Sequence, residues 1–344
     1  MKIHLRLSLR TALLAFVVLS VLLGVLTSRS ISQRNAVEAL TKLGAKIEYD
    51  VETSSLACST IANFLGNDFV YSVREVSLDG AGVSDEDLQH FAHLPSVTRV
   101  RLGETSITGS GLENLVGLKR LKWLDLTASL QLTNQSLRHV GRLNSLEHLG
   151  LDYAIKIDDS GIRLLSDLEN LEHVSLERTA IGDGAFEVIS TLPRIDMICA
   201  NGTNVTDSGV SWFGKHRTLE NLFISGTNVG DESLRVLSEA SNLKLLWVSR
   251  TMITDSGVRC IRRHPSLEWL NLSGTNVGDE SLRLLADAPS LKCLLAYSTK
   301  ITDDGLLFLD KNTNLISLCI SGTETTTEGR ANLQKRLANT QVLD

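Results

Sequence analysis

The sequence predicts an α/β solenoid preceded by one membrane-spanning helix, on the basis of three observations. An uncharged apolar run lies near the amino end of the 344-residue chain. From Val73 onward the sequence realigns on itself every 24 residues, a period typical of solenoids, in which each unit packs on its neighbours. Within each unit the apolar spacing changes from two residues to three or four, which indicates a short strand followed by a helix.

Composition excludes several classes of protein. The chain has 34 Lys and Arg against 40 Asp and Glu, a net charge of -6. It therefore offers no basic surface for a phosphate backbone, and we expect no nucleic-acid partner. Apolar residues make up 42% of the chain and there are four prolines, a composition that supports a large core and excludes a disordered chain.

The amino-terminal segment predicts a membrane anchor. A short basic tail, residues 1–10, precedes an uncharged stretch, residues 11–28. As a helix this stretch would be about 27 Å long at ~1.5 Å per residue, close to the roughly 30 Å of a bilayer core. We therefore expect a transmembrane signal anchor that is not cleaved.

Two alternatives to the anchor are a cleaved signal peptide and a buried globular helix. A cleaved signal usually has an apolar region of about 7–15 residues followed by small residues at the cut, whereas Leu26 and Arg29 stand near that position here. Arg29 and Arg34 follow the span, so the positive-inside rule favours a cytoplasmic amino terminus only weakly. In that orientation the solenoid is extracytoplasmic.

Internal repetition is clearest where residues 225–236, SGTNVGDESLRV, recur as residues 273–284, SGTNVGDESLRL, with one difference. The shift between the two copies is 48 residues, twice the period. Eleven units can be aligned, and they begin at Val73, Val97, Leu121, Leu146, Leu171, Ile195, Leu219, Leu243, Leu267, Leu291 and Leu315.

Each unit reads L-x-x-L-x-L-x-x-T-x-I-x-D-x-G-L-x-x-L, so two polar residues recur at fixed positions. The aspartate stands where the helix begins, which predicts a helix cap rather than a calcium site, because successive aspartates are one repeat apart. The threonine follows the strand, where we expect its hydroxyl to form a hydrogen bond with the backbone of a neighbouring coil. A coil here is one turn of the solenoid, formed by one repeat unit. The aspartates are Asp85, Asp159, Asp183, Asp207, Asp231, Asp255, Asp279 and Asp303, and the threonines are Thr105, Thr179, Thr203, Thr227, Thr251, Thr275, Thr299 and Thr323.

This pattern resembles the leucine-rich repeat family over residues 73–344. The resemblance implies a right-handed curved solenoid, with a parallel sheet lining its concave side and helices on its convex side. The anchor followed by QRNAVEALTKLGAKIEYD, together with the closing LQKRLANTQVLD, is similar to membrane-anchored leucine-rich repeat proteins of planctomycete-type bacteria.

The ends of such an array expose apolar edges that need caps. Residues 29–72 are predicted as a linker and amino-terminal cap, with an apolar helical stripe that ends at Gly44. At the other end of the array, residues 327–337 predict a last helix, and a strand stub follows it. Both ends of the solenoid are therefore expected to be capped.

The sequence shows no catalytic motif. There is no nucleophile elbow, phosphate loop or zinc-protease motif, so we expect no enzymatic activity and no cofactor. The five cysteines form no C-x-x-C pair. Cys293 and Cys319 would lie about 8 Å apart on adjacent strands, whereas a disulfide needs less than about 7 Å, so free thiols are predicted.

The strongest candidate for a metal site is the pair His148 and His173, which occupy the same strand position in consecutive units. Asp125, Asp152 and Glu177 are predicted on the same face, and two imidazoles with a carboxylate can hold a divalent ion. Duplication of similar units, LEHLGLD and LEHVSLE, explains the pair equally well. We therefore predict surface polar contacts and no metal site.

Side chains that point outward from the strands are not needed for packing and carry the functional prediction. The predicted binding residues are Trp123, Met197, Phe223, Leu245, Trp247, Trp269, Leu295 and Tyr297, and a secondary polar patch comprises Arg99, Arg101, Asp125, His148, Asp152, His173 and Glu177. Exposed apolar patches usually mark interaction sites, and Trp and Tyr are typical anchors. The alternative is that tight curvature or the amino-terminal cap buries these rings.

Together these features predict a membrane-tethered, non-catalytic recognition scaffold that binds a protein or peptide on its concave sheet. Eleven strands about 4.8 Å apart give an arc of about 48 Å, wide enough for a folded partner. A carbohydrate or envelope-polymer binder is the first alternative, since aromatic rings lie near Asn221, Asn271 and Asp196. A purely structural envelope component is the second.

Overall fold

The structure, a computed structural model, describes residues 9–51, 62, 66–311, 314–337 and 340–343. These residues form one sheet of thirteen strands. The strands are β1 Lys46–Tyr49, β2 Val73–Ser77, β3 Arg99–Arg101, β4 Trp123–Asp125, β5 His148–Gly150, β6 His173–Ser175, β7 Met197–Cys199, β8 Asn221–Phe223, β9 Leu245–Trp247, β10 Trp269–Asn271, β11 Cys293–Leu295, β12 Ser317–Cys319 and β13 Gln341–Leu343. The first eight residues of the predicted basic tail, and residues 52–61 and 63–65 of the predicted amino-terminal cap, lie outside the described residues.

The order of the strands in the sheet is their order along the chain. β1 lies antiparallel to β2, and each later pair of neighbours, from β2 to β13, is parallel. The eleven sequence units correspond to strands β2 to β12, one strand in each unit. The predicted α/β solenoid with a parallel sheet is confirmed.

Helices connect the strands. The α-helices are Leu9–Lys42, Asn67–Val70, Leu137–Val140, Asp159–Ile162, Asp183–Ile189, Asp207–Val210, Asp231–Leu237, Asp255–Ile261, Asp279–Leu285, Asp303–Leu306 and Thr327–Arg336. The 3-10 helices are Asp85–His93, Ser110–Leu115, Asn134–Ser136, Arg163–Leu165, Ser211–Phe213 and Leu307–Lys311. The first α-helix, Leu9–Lys42, is called α1 below.

One apolar core runs through the described coils. The middle residue of each short strand points into it, as in β10, where Leu270 is 1% exposed while its neighbour Trp269 is 46% exposed. The helices add residues at a spacing of three, such as Leu282 and Leu285, to the same core. The strand and the helix of each coil thus both turn apolar side chains toward the core, because the apolar spacing is two residues in the strand and three in the helix.

The repeated aspartates begin helices, but they do not cap them. The N-cap is the residue before the aspartate, and Thr206 Oγ1 accepts a hydrogen bond of 3.2 Å from Ser208 N. The aspartate instead accepts hydrogen bonds from the next coil, as Asp183 does from Thr206 N at 2.8 Å and Oγ1 at 2.7 Å. A carboxylate suits this role because it can accept several bonds at once. The predicted capping role is therefore wrong for the aspartates.

The threonines that follow the strands bond within their own coil, contrary to the prediction. Thr179, Thr227 and Thr275 each donate the hydroxyl to the carbonyl three residues earlier, at 2.7, 2.6 and 2.5 Å. The threonine thus closes the turn after its own strand. Of the two repeated polar residues, the aspartate is therefore the one that bonds to the next coil.

Two kinds of coil alternate along the later part of the array. In one kind the helix begins with Thr-Asp-x-Gly, and in the other with Gly-Asp-Glu-Ser. Asp231 accepts from Thr254 N and Oγ1, whereas Asp255 accepts from Gly278 N and from both the N–H and the hydroxyl of Ser281. Each kind of coil therefore presents different donors to the aspartate before it.

Glycine has a packing role in the Thr-Asp-x-Gly coils. A Cβ atom added at Gly257 would lie 2.5 Å from Asp231 Oδ1 and 3.0 Å from its Cα. In the other kind of coil, the equivalent Ser281 donates its hydroxyl to Asp255 at 2.5 Å. The 48-residue period of the sequence is thus the length of a complementary pair of coils.

The amino-terminal cap is formed by the end of α1 and by β1. Ala36, Val37 and Leu40 of α1 are buried in the core of the first coils. The chain then turns at Gly44, whose φ of +96° strongly favours glycine. Because β1 pairs with the edge of β2, this cap closes the first edge of the sheet.

The amino-terminal part of α1 lies outside that core. Its exposed large apolar side chains are Leu13, Leu14, Phe16, Val17, Val18 and Val21, each between 52% and 68% exposed. Among the helices that the structure describes, none has the length and apolarity needed to cross a membrane, and the membrane-spanning helix predicted at residues 11–28 is not found.

The carboxyl end of the array continues the same hydrogen-bond scheme. Thr326 caps the last helix by accepting from Gly329 N at 2.9 Å, and its hydroxyl donates to Asp303 of the preceding coil at 2.6 Å. Leu333 of this helix is buried in the core. β13 then pairs with β12 and covers the last edge of the repeat strands.

Candidate binding surface

The face of the sheet turned away from the helices is called the open sheet face. The register of the strands brings residues 24 or 25 apart in sequence into two rows across it. The first row is Arg99, Trp123, His148, His173, Met197, Asn221, Leu245, Trp269 and Cys293, and the second row is Arg101, Asp125, Gly150, Ser175, Cys199, Phe223, Trp247, Asn271 and Leu295.

The later strands carry an apolar patch, defined as Met197, Phe223, Leu245, Trp247, Trp269, Leu295 and Tyr297. Trp269 is 46% exposed, and the other six residues are half-buried. The rings of Phe223 and Trp247 meet edge to face, with centroids 5.1 Å apart, a favourable geometry for aromatic pairs. Seven of the eight predicted binding residues therefore share one region of the face.

Trp123 lies apart from the apolar patch, in the first row between Arg99 and His148. The Arg99 guanidinium is 5.2 Å from the Trp123 ring centre, within cation–π range. The His148 ring centroid is 4.4 Å from that of Trp123, and the His173 ring follows at 4.3 Å from His148. Trp123 thus begins a stack of rings that connects the charged strands with the apolar patch.

The arginines of the predicted polar patch form ion pairs along the sheet. Arg99 Nη1 lies 3.0 Å from Glu75 Oε2, and Arg101 Nη2 lies 2.8 Å from Asp79 Oδ2. Arg101 Nε is also 3.9 Å from Asp125 Oδ2. Partly exposed pairs of this kind contribute about 0–1 kcal/mol each to stability. Their main effect is therefore to fix the positions of the arginine side chains on this end of the face.

The remaining carboxylates of the polar patch are also engaged. Asp152 accepts hydrogen bonds from Ser175 Oγ at 2.6 Å and from Glu177 N at 2.7 Å. Burial raises the pKa of Asp152 above its ordinary value, although these two hydrogen bonds oppose the shift. Glu177 accepts from the Tyr153 hydroxyl at 3.3 Å. Asp152 and Glu177 therefore accept hydrogen bonds from neighbouring residues of the solenoid, and this is their main role in the structure.

A cavity of about 220 Å³ opens on the face where the ring stack meets the apolar patch, and His148, His173 and Met197 lie in its wall. Gly150 leaves space at this point of the second row, since a Cβ there would lie 3.0 Å from Asp125 Oδ1. Small-molecule sites typically measure about 300–1,000 Å³. The cavity is better matched to a side chain of a protein partner.

A second groove, of about 400 Å³, follows the ends of the later strands and is mainly polar. Its polar groups are used within the solenoid. Asn201 Oδ1 accepts from Ser225 N at 2.8 Å, Ser225 Oγ accepts from Ser249 N at 3.2 Å, and Asn271 Oδ1 accepts from Ser273 N at 3.0 Å. The polar side chains of this groove are therefore explained by the hydrogen bonds they make within the solenoid, and a ligand is not needed to explain them.

Two glutamates beside His148 were not among the predicted site residues. A ring nitrogen of His148 and one carboxylate oxygen each of Glu147 and Glu172 lie within 4.8 Å of one another. The pKa of His148 is lowered by burial and by His173, against the opposing effect of the two glutamates. The sequence signal for this cluster is the doubled Glu-His pair in LEHLGLD and LEHVSLE, because parallel stacking brings both pairs together.

The described part of the amino-terminal cap does not cover the apolar patch. β1 pairs at the β2 edge of the sheet, whereas the patch begins at β7. Trp269 remains 46% exposed. Burial of these rings by the cap, one of the alternatives considered from the sequence, is therefore wrong for the described residues.

The repeats identify the family of the chain. A profile of the family described as "Leucine Rich repeat" matches residues 263–286, which is one period of the eleven-unit array whose strands and helices are described above. The chain therefore contains leucine-rich repeats. Leucine-rich repeats are typically protein-binding scaffolds and generally have no catalytic role.

Solved structures share the fold of this leucine-rich repeat protein. An internalin from Listeria monocytogenes is 17% identical with a TM-score of 0.58, covering 84% of this chain and 94% of the internalin chain. A chain from the yeast complex of Rad7 and Elc1 is 16% identical with a TM-score of 0.53, covering 98% of this chain and 93% of its own. A leucine-rich repeat protein from Leptospira interrogans is 14% identical with a TM-score of 0.50, covering 74% of each chain. At these identities the likeness shows the fold alone.

No curated protein matches the sequence of this leucine-rich repeat protein. Its function is therefore inferred from its own surface.

Proposed function

We propose that this leucine-rich repeat protein is a membrane-tethered, non-catalytic recognition scaffold whose apolar patch binds a protein or peptide. The observation that supports this proposal is Trp269, 46% exposed beside Trp247 and Leu245. The repeat fold needs apolar side chains on the other face of each strand, where Leu270 is buried. Tryptophan on the solvent side adds nothing to the core and is typical of an interface anchor.

The neighbourhood of Trp269 favours a polypeptide partner. The strands β7 to β11 contain no charged residue, so an apolar ridge of a partner could approach without desolvating a charge. Depletion of charge and enrichment of aromatic residues characterise the centre of protein interfaces. The cavity beside Met197 offers a place for one partner side chain at the border of the patch.

Truncation of Trp269 or Trp247 to alanine tests the proposal. Loss of an anchor at the centre of an interface costs about 2–4 kcal/mol, or roughly 30- to 800-fold in affinity at ~1.4 kcal/mol per decade. We expect both variants to lose the partner recovered by crosslinking and pull-down from native membranes, with little change in melting temperature. Trp212, 52% exposed in the helix Ser211–Phe213, supplies the matched control, and Trp212→Ala should retain the partner.

A clear result would contradict this assignment. If Trp247→Ala and Trp269→Ala both lower the melting temperature strongly and keep partner binding, the rings belong to the fold and not to an interface. A carbohydrate partner is the alternative that a glycan array with the purified protein would reveal. The polar groove gives it little support, because Asn201, Ser225 and Asn271 already accept backbone hydrogen bonds.

Membrane tethering is the part of the proposal that depends on the amino-terminal segment. Residues 11–28 carry no charge, and the exposed apolar side chains of α1 between Leu13 and Val21 have no partner within the described coils that buries them. A contiguous apolar surface of this kind usually contacts a protein or a membrane. Lipid is the partner that we propose here.

Cell fractionation tests the tether. We expect the full chain in the membrane fraction and a chain that begins at Gln33 in the soluble fraction. Gln33 is the appropriate boundary because its Nε2 donates to the carbonyls of Asp68 at 3.0 Å and Tyr71 at 2.7 Å, so the helix from this point belongs to the cap. If the expressed protein is found in the soluble fraction with its amino terminus cleaved near Ser30, the segment is a removed signal peptide instead.

A further inference from the structure

A row of carboxylates borders the first row of the open sheet face, one residue before each strand. Consecutive backbone hydrogen bonds link Glu147, Glu172, Asp196 and Glu220 in neighbouring coils. Lys122 neutralises one end through an ion pair of 2.7 Å with Glu147, and Lys244 neutralises the other through 2.7 Å with Glu220. In the middle of the row, Glu172 has only a longer contact, 3.9 Å between its Oε1 and Arg194 Nη1.

Imidazole nitrogens lie against the middle of this row. His148 and His173 are in ring contact, with centroids 4.3 Å apart. Among the described residues, His148 Nδ1 is one of the buried side-chain atoms without a hydrogen-bond partner. His173 Nε2 lies 2.9 Å from Asp196 Oδ1, so this carboxylate already has a polar neighbour. The buried His148 Nδ1 is thus left unsatisfied, at a cost of about 1–3 kcal/mol.

The side chains around His148 indicate which kind of cation would bind there. Glu147, His148 and Glu172 each offer one atom, and the three atoms lie within 4.8 Å of one another. Zinc bound at about 2.0–2.2 Å to nitrogen and oxygen ligands places them roughly 3.4 Å apart in a tetrahedron, so side-chain movements of about 1 Å would complete the site. Calcium and magnesium prefer oxygen ligands alone, whereas imidazole with carboxylates suits a first-row transition metal.

We propose that Glu147, His148 and Glu172 bind one divalent transition-metal ion of the zinc class at the edge of the open sheet face. Three protein ligands leave a coordination position open. Because His148 also lines the cavity beside Met197, we expect that position to be reached by solvent or by a group of a bound partner. Lys122 and Arg194 compete with the ion, because they lie 2.7 Å from Glu147 and 3.9 Å from Glu172 in the absence of metal.

Metal titration of the purified full chain in mild detergent tests the site. After treatment with a chelator, we expect one Zn²⁺ per chain to bind by calorimetry, with a dissociation constant below about 10 µM, equivalent to about -7 kcal/mol. Co²⁺ in place of Zn²⁺ should give visible absorption bands of a low-coordinate nitrogen and oxygen site. His148→Gln and Glu172→Gln should each weaken binding by more than about 10-fold.

Two further variants separate this site from adventitious binding. His93→Gln removes an exposed histidine outside the cluster and should leave the affinity unchanged. Lys122→Gln frees Glu147 and should strengthen binding severalfold without adding a ligand. The proposal is overturned if no Zn²⁺ binds in this range, if His148→Gln binds as tightly as the parent chain, or if Lys122→Gln weakens binding. Melting temperatures measured without metal confirm that each variant is folded, and no outcome of the titration depends on the protein partner.

Discussion

The two halves of the open sheet face differ although the same 24-residue unit builds both. In strands β3 to β6 the outward side chains include Arg99, Arg101 and His148, and the arginines pair along the sheet. In strands β7 to β11 the outward side chains are uncharged, and Trp247 and Trp269 stand among them. Beneath both halves the middle strand residues are buried alike. The repeat therefore fixes the inner face of each strand and leaves the outer face free to vary.

The largest effect is expected from reversing the two faces of one strand. Leu270→Asp places a carboxylate in the core, where Leu270 is 1% exposed, and an unpaired buried charge costs about 3–5 kcal/mol. Trp269→Asp, the matched control on the adjacent outward position, should cost less than about 1 kcal/mol, as surface substitutions do. Chemical denaturation of both variants measures the difference, and similar losses would contradict the division into inner and outer faces.

A second comparison concerns the aspartates that join the coils. Asp255→Ala removes the acceptor for Gly278 N and for two donors of Ser281. Hydrogen bonds to charged groups contribute about 1.5–3 kcal/mol, so we expect a loss of about 2 kcal/mol. Asp287→Ala removes an exposed aspartate of the same stretch and should change the free energy of unfolding little. Equal stability of the two variants in urea would show that the junction between coils does not depend on the aspartate.

The smallest expected effect comes from glycine in a helix. Gly257 lies in the helix Asp255–Ile261, where alanine would normally stabilise by about 1 kcal/mol. Its added Cβ would lie 2.5 Å from Asp231 Oδ1, so we expect Gly257→Ala to destabilise by about 1 kcal/mol. Gly117 has no atom within 4 Å of an added Cβ and is the control. A rise in melting temperature for Gly257→Ala would contradict the close approach of the coils.

The elements of the fold could be predicted because apolar spacing reports local geometry directly. Asp255 and Asp279 begin helices as the alignment of the units indicates, and Leu270 and Leu282 point into the core. Hydrogen-bond partners could not be predicted in the same way. Thr254 and Asp255 are adjacent polar residues at the start of one helix, and only the spacing between coils decides which side chain reaches its neighbour.

The candidate site was predictable in part for a similar reason. The outward strand positions identified Trp247 and Trp269, since alternation along a strand needs no knowledge of its neighbours. Glu147 and Glu172 stand one residue before the strands, where no alternation rule gives the direction of the side chain. Their closeness to His148 arises from the stacking of two coils, a property of the pair that neither unit contains alone.

The alternation of two kinds of coil also restricts how this array can change in length. Asp231 faces the threonine of a Thr-Asp-x-Gly coil, and Asp255 faces the serine of a Gly-Asp-Glu-Ser coil. Removal or insertion of 48 residues within this stretch preserves both junctions, whereas a change of 24 residues brings two coils of one kind together. The near-identity of residues 225–236 and 273–284 is what copying a whole pair would leave behind. The unit of duplication in this stretch is thus the pair of coils. Because each aspartate is matched to the donors of the next coil, the sheet can lengthen by two strands at a time.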